Sequence, residues 1–291
     1  MTGRYVDRAW TGADGLSLRA RDYAGAAGAA RAPVVCLHGL TRNAADFDTL
    51  APWIAASGRR VLAADFRGRG RSAWDPAPMN YTPATYAADI AGLLNAAGIG
   101  RAVFVGTSLG GIVAMVLAAM RPAAVAAAVL NDVGPSLSPE GLKRIGGYAG
   151  RDAAVKDWSE AADYARAING AAFPGYAPAD WDAFARRIFE EGPDGRLRLA
   201  YDPDIAAPIR AAGPEALAPD ITPLFVGLAT GRPMLLVRGA ISDLIDPPRV
   251  EAMKALAPHM AVAEVPDVGH APMLDEPEAR AALAAFLEAA P

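Results

Sequence analysis

Cys36 is the only cysteine in 291 residues, which excludes an internal disulfide and a cysteine-built metal site. It lies in the apolar run Val34-Val35-Cys36-Leu37, so it reads as a buried strand residue and not a reactive thiol. Histidine is scarce too: His38, His259 and His270 are the whole supply. With no His-Glu-x-x-His they make no zinc site, so neither metal nor cofactor is expected. Lysine occurs only at 143, 156 and 254, no basic run exists, and the net charge is −4. That balance argues against a nucleic-acid partner. No uninterrupted apolar stretch reaches about 18 residues, so no membrane span is expected. Residues 1–5 lack a signal-peptide pattern. The expectation is a cytoplasmic protein, monomer or homodimer, without membrane or nucleic-acid partners.

A hydrophobic content of 53% against 21% charged residues indicates a globular chain, long enough for one large α/β domain or a domain plus an insertion. Residues 5–10 and 16–23 flank Gly12-Ala13-Asp14-Gly15 and predict a hairpin. Short apolar strands are expected at 33–37, 60–65, 102–106 and 124–132. Helical patterns lie between them at 43–57, 83–98 and 108–120. This alternation implies a mostly parallel sheet covered by helices on both faces. From Gly134 to Thr230 the texture changes to short helical patterns, many prolines and gathered aromatics, which predicts a mainly helical insertion over the sheet edge. Strands resume at 233–238 and 260–265, and the last helix spans 275–290. The expected division is a core of residues 1–133 and 231–291 with a cap of residues 134–230.

The chain is organised around Val103-Phe104-Val105-Gly106-Thr107-Ser108-Leu109-Gly110-Gly111. Strand, glycine-flanked serine and long apolar helix together predict a sharp turn with an exposed, strained serine. The helix N-terminus behind it favours developing negative charge. The same motif is also compatible with an ordinary turn serine capping a helix, so a base and an orienting acid are needed. In an open parallel sheet, functional groups gather at strand carboxyl ends. His38 and His270 both satisfy this; His259 precedes a strand and belongs at the opposite end. Among acids, Asp243 follows residues 234–238 and Asp132 follows residues 124–131. Asp65 directly precedes an arginine-rich turn, where a structural bond is expected. The Gly68-Arg69-Gly70-Arg71-Ser72 loop lacks the spacing of a dinucleotide or phosphate loop.

These residues resemble the α/β-hydrolase superfamily. The order Ser108, Asp243, His270 matches the family's nucleophile, acid and histidine. His38-Gly39 resembles its oxyanion loop, Asp65-Phe66-Arg67-Gly68-Arg69-Gly70-Arg71-Ser72 its D-x-R-G-x-G-x-S turn, and Asp132-Val133-Gly134-Pro135 the start of a lid. The resemblance implies an eight-stranded, mostly parallel sheet with a helical lid. It implies Ser108 as nucleophile, His270 as base and Asp243 as orienting acid, with the backbone N–H groups of Leu40 and Leu109 as oxyanion hole. His38 would support its loop. Asp132 would bond backbone where the lid begins, with the acid's role as its lesser alternative. A serine in the elbow sets the chain apart from haloalkane dehalogenases and epoxide hydrolases, which carry aspartate there. The expected function is a cofactor-free serine hydrolase of a small to medium carboxylic ester or lactone. The same triad also serves C–C bond hydrolysis of a ring-cleavage product, perhydrolysis and acyl transfer. Arg166, Arg186, Arg187 and Arg210 are the cap cations such C–C chemistry would use. A non-enzymatic binding module is the remaining alternative.

Overall fold

The computed structural model describes residues 5–26, 31–212 and 220–291. Most of the N-terminal stretch 1–5, part of the loop 24–31 and part of the 134–230 segment lie outside the described residues. Strands β1 (Val6–Thr11) and β2 (Ser17–Tyr23) form the hairpin. Then follow β3 (Val34–Leu37), α1 (Leu50–Ala56), β4 (Val61–Asp65) and α2 (Pro83–Ala96). Thr82 caps α2 by accepting from the Thr85 N–H, and Pro83 fills its first position. The helix expected over 43–57 is broken: a 3-10 turn at Ala44–Phe47, capped by the Asn43 side chain, precedes α1. β5 (Ala102–Thr107), α3 (Leu109–Met120) and β6 (Val125–Asn131) complete the first half.

The middle segment holds α4 (Pro139–Tyr148), β7 (Ala154–Val155), α5 (Trp158–Asn169), α6 (Pro178–Ile188), β8 (Phe189–Glu191), β9 (Leu197–Leu199), α7 (Ala207–Ala212) and α8 (Thr222–Ala229). Strands β7, β9 and β8 form a small antiparallel sheet that the sequence reading did not anticipate. Strands of two or three residues carry no periodicity to read. Helix α8 packs against α3 and so covers the main sheet, not its rim. The last elements are β10 (Met234–Gly239), α9 (Pro247–Leu256), β11 (Ala261–Val265) and α10 (Pro277–Ala289).

The eight-stranded sheet has the order β1-β2-β4-β3-β5-β6-β10-β11, antiparallel only at β1–β2 and β2–β4. Every residue of β3, β4 and β6 is buried, as expected for strands covered on both faces. Alternate residues of β5 feed opposite layers: Phe104 packs with Met115 and Leu130, whereas Val103 and Val105 pack with Ile54 and Phe286. No helix among the described residues is long and apolar enough to cross a membrane.

The turn after β4 is closed by buried charge. Asp65 accepts from the Ala44 and Arg71 N–H groups at 2.7 and 3.1 Å, and burial raises its pKa to about 6. Gly70, at φ +53°, permits this: a Cβ there would lie 2.5 Å from the Asp65 carboxylate. Arg67, only 1% exposed, donates to Asp14, Asp75 and Asp89.

The middle segment is fastened over the sheet's carboxyl end by polar contacts. Tyr81 donates to Asp202, Gly70 N–H to Ala200 O (2.8 Å), the Asn43 amide to Arg187 O (2.7 Å) and Gly269 N–H to Ala172 O (2.7 Å). Its aromatics pack on one another, with Phe173, Tyr176, Trp181 and Phe184 at ring-centroid distances of 4.6 to 6.4 Å, and are continuous with the main core.

Candidate active site

Strand β5 delivers Ser108 to the sheet's carboxyl edge in a left-handed conformation, φ +52° and ψ −117°. A non-glycine residue holds such a backbone only where its surroundings enforce it. Here the enforcement is close backbone packing. A Cβ on Gly106 would lie 2.5 Å from the Gly110 carbonyl carbon, and one on Gly110 would lie 2.1 Å from Leu37 O. The Ser108 N–H is anchored to Asn131 O at 3.0 Å, and α3 begins at the next residue.

The serine hydroxyl lies 3.0 Å from His270 Nε2. The opposite ring nitrogen, Nδ1, lies 2.8 Å from Asp132 Oδ2. A carboxylate only accepts, so Nδ1 carries the proton and Nε2 is free to accept from the serine. Asp132 stands just past β6, the strand beside β5, fully buried and also left-handed at φ +54°. Its carboxylate further accepts from Gly239 N–H (3.1 Å) and Ser242 Oγ–H (2.6 Å). Three donors around one buried carboxylate compensate its loss of water.

The structure does not bring Asp243 to the histidine, which corrects the expectation that it is the orienting acid. Its carboxylate is paired with the Arg144 guanidinium of α4, with Nη2–Oδ1 at 2.8 Å, and is partly exposed. That hydrogen bond holds its pKa below the usual carboxylate range. The reason lies in the loop after β10: Ser242 meets Asp132, and Asp243, one residue on, meets Arg144 instead. Ser242 also accepts from Leu244 and Ile245 N–H at 3.2 Å, which locks the loop. Nothing in the sequence marked Ser242; a loop has no period from which its facing can be read.

His38 is fully buried. Its Nε2 accepts from Phe66 N–H at 3.0 Å and Nδ1–H donates to Gly39 O at 2.7 Å, so it braces the loop that carries Leu40. Burial pushes its pKa down to about 3. The native ring therefore stays neutral where the unfolded ring, titrating near 6.5, takes up a proton. Its contribution to stability is complete above that pH and is lost as the pH falls towards 3, at about 1.4 kcal/mol per pH unit. Urea unfolding at pH 7 and pH 5 should show the wild type losing about 2 kcal/mol more than His38→Gln. Equal losses would contradict this.

Arg69, also fully buried, has no carboxylate partner among the described residues. It donates to Leu40 O (3.0 Å), Arg67 O (2.8 Å) and the Tyr86 hydroxyl (2.8 Å), anchoring the same loop from the other side. Among the described residues, the Leu40 and Leu109 N–H groups have no backbone acceptor. Both residues border the space in front of Ser108. His259 is exposed, at the opposite end of the sheet, bonded to Arg232 O. Cys36 is buried, and burial raises its thiol pKa.

Two cavities meet at Ser108 and Leu40. One, of about 70 Å³, includes His270, Arg42, Asn169 and Phe173. The other, of about 320 Å³, includes Leu109, Ile112, Leu137 and Ile205. Arg166, Arg186, Arg187 and Arg210 line neither. No group of three potential metal ligands occurs among the described residues. A strained hydroxyl, a neutral imidazole and a buried carboxylate in series can move a proton off the serine and return it to a leaving group.

Comparison with known proteins places the chain among hydrolases. The chain is 38% identical over 248 residues to a 3-hydroxybutyrate-oligomer hydrolase of Cupriavidus necator, covering 84% of each chain. It is 31% identical over 237 residues to a 2-(acetamidomethylene)succinate hydrolase of Mesorhizobium japonicum, covering 80% of this chain and 79% of that one. The crystal structure of an alpha/beta hydrolase from Novosphingobium aromaticivorans superposes with a TM-score of 0.90 at 45% identity, covering 99% of both chains. The profile of the alpha/beta hydrolase family matches residues 34–283, and the chain belongs to that family.

Proposed function

We propose that this hydrolase is a serine esterase that cleaves a small to medium carboxylic ester or lactone through an acyl-enzyme. Ser108 is the nucleophile, His270 the base, Asp132 the orienting acid, and the Leu40 and Leu109 N–H groups the oxyanion hole. The observation that carries the reading is the unbroken hydrogen-bonded series Ser108 Oγ, His270, Asp132, at 3.0 and 2.8 Å. The serine oxygen bonds the acyl carbon while its proton passes to His270 Nε2. The C–O bond then breaks as that proton moves to the alcohol oxygen. Water repeats the sequence on the acyl-enzyme and releases the acid. Similarity to a relative named for hydrolysing 3-hydroxybutyrate oligomers supports ester bonds as the target. Arg166, Arg186, Arg187 and Arg210 line neither cavity, and the one arginine among the described residues that does, Arg42, is paired with Asp46, which favours the ester reading.

Fluorophosphonate labelling tests the proposal. The reagent should modify Ser108 by peptide mass spectrometry and extinguish p-nitrophenyl butyrate hydrolysis in proportion to labelling. Activity that survives complete labelling would refute it.

A further inference from the structure

Ser108 stands where two chambers of unlike chemistry join, and His270 belongs to only one of them. The larger chamber is walled by Leu109, Ile112, Leu137, Leu142 and Ile205, with Tyr81 and Tyr86 at its side. Both phenols are already committed, Tyr81 to Asp202 and Tyr86 to Arg69, so their rings contribute apolar surface. The smaller chamber is mixed and the more polar of the two: Thr41, Thr107 and Asn169 stand beside His270, with Phe173 and Phe184 across from them. There Arg42 is tied to Asp46 through Nε and Nη2, so the two charges cancel and the space offers hydrogen bonds with little net charge.

Resting on the esterase reading, we propose that the site is directional: the acid half of the ester occupies the apolar chamber and the alcohol half the polar one. The argument is the path of one proton. His270 Nε2 must deliver it to the alcohol oxygen as the C–O bond breaks, so that oxygen lies on the histidine's side. The acyl carbon, held by Ser108 with its oxygen towards Leu40 and Leu109, then extends its chain into the chamber His270 does not reach. The volumes, about 320 Å³ against 70 Å³, set the proportions: a medium-length apolar acyl chain and a short, neutral, hydroxylated alcohol. The substrate class is thus an ester of an apolar acid with a small polyol-like alcohol.

Two isomers separate this from the reverse orientation: 3-hydroxypropyl hexanoate and hexyl 3-hydroxypropanoate, equal in formula and similar in intrinsic reactivity. The first should be hydrolysed with kcat/KM at least tenfold higher. Across p-nitrophenyl acetate to hexanoate, kcat/KM should rise about fourfold per methylene, the gain from burying each one. Ile112→Trp and, independently, Leu137→Trp should bring the isomer ratio towards one by filling the acyl chamber. A ratio at or below one, or turnover of p-nitrophenyl butyrate but of neither isomer, overturns the directional assignment and leaves the esterase reading intact. No turnover of any ester by protein that is folded defeats both.

Discussion

Asp132→Asn is expected to lower kcat for p-nitrophenyl butyrate by about 10³- to 10⁴-fold, while Asp243→Asn costs less than about tenfold. The carboxylate at 132 accepts the His270 Nδ1 proton and so leaves Nε2 unprotonated for the serine. An asparagine amide can turn its NH₂ to Nδ1, which favours the opposite tautomer and puts a hydrogen on Nε2, where a base needs a lone pair. It also removes the negative charge that stabilises the imidazolium formed during proton transfer. Asp243 has another partner: its pair with Arg144 is partly exposed, a setting in which ion pairs contribute at most about 1 kcal/mol. Kinetics on the two variants, with KM measured separately, decide the matter. A larger kcat loss from Asp243→Asn than from Asp132→Asn would reassign the acid.

Arg67→Met should lower the melting temperature by about 10 °C, the largest stability loss expected from a change away from the site. The guanidinium serves Asp75 and Asp89, both with side chains 3% exposed, and the rim residue Asp14. Burial, joined by the nearby Asp14 and Asp75 charges, raises the pKa of Asp89 even with the arginine beside it. Removing the cation strands two buried carboxylates, a loss of about 3–5 kcal/mol in comparable settings. The double variant Arg67→Met with Asp89→Asn should recover part of this, because one stranded charge is gone. Scanning calorimetry on the three proteins tests it. A double variant less stable than Arg67→Met would mean the cluster does not act through charge.

How much of this was legible beforehand differs from element to element. The parallel sheet was, because β3, β4 and β6 are apolar up to the Asp65 and Asn131 that end the latter two, and alternate with helix patterns. The elbow was, because Gly106 and Gly110 flank a serine between a strand and a helix. Ser108 and His270, both singled out from the sequence, stand 3.0 Å apart. Which aspartate meets His270 was not, since Asp132 and Asp243 both follow strands that end at the same rim. What separates them is the facing of a loop over one residue, Ser242 against Asp243, and a left-handed backbone at Asp132. Neither leaves a trace in composition or spacing. The small β7–β9–β8 sheet escaped for a similar reason: its partners are short and stabilised by tertiary contacts rather than pattern.

The carboxylate's location on β6, beside the strand that bears the nucleophile, has a practical corollary. Two of the three groups in the proposed relay, Ser108 and Asp132, ride on adjoining planks of one stiff floor, so their spacing is set by the sheet itself. The turn after β10 contributes the hydroxyl of Ser242 to that carboxylate, and the Leu244 and Ile245 N–H groups hold the hydroxyl in place. For anyone wishing to retune what this hydrolase accepts, the side chains at Ile241 and Asp243 are the ground to rebuild, with Ser242 and the backbone that holds it left standing.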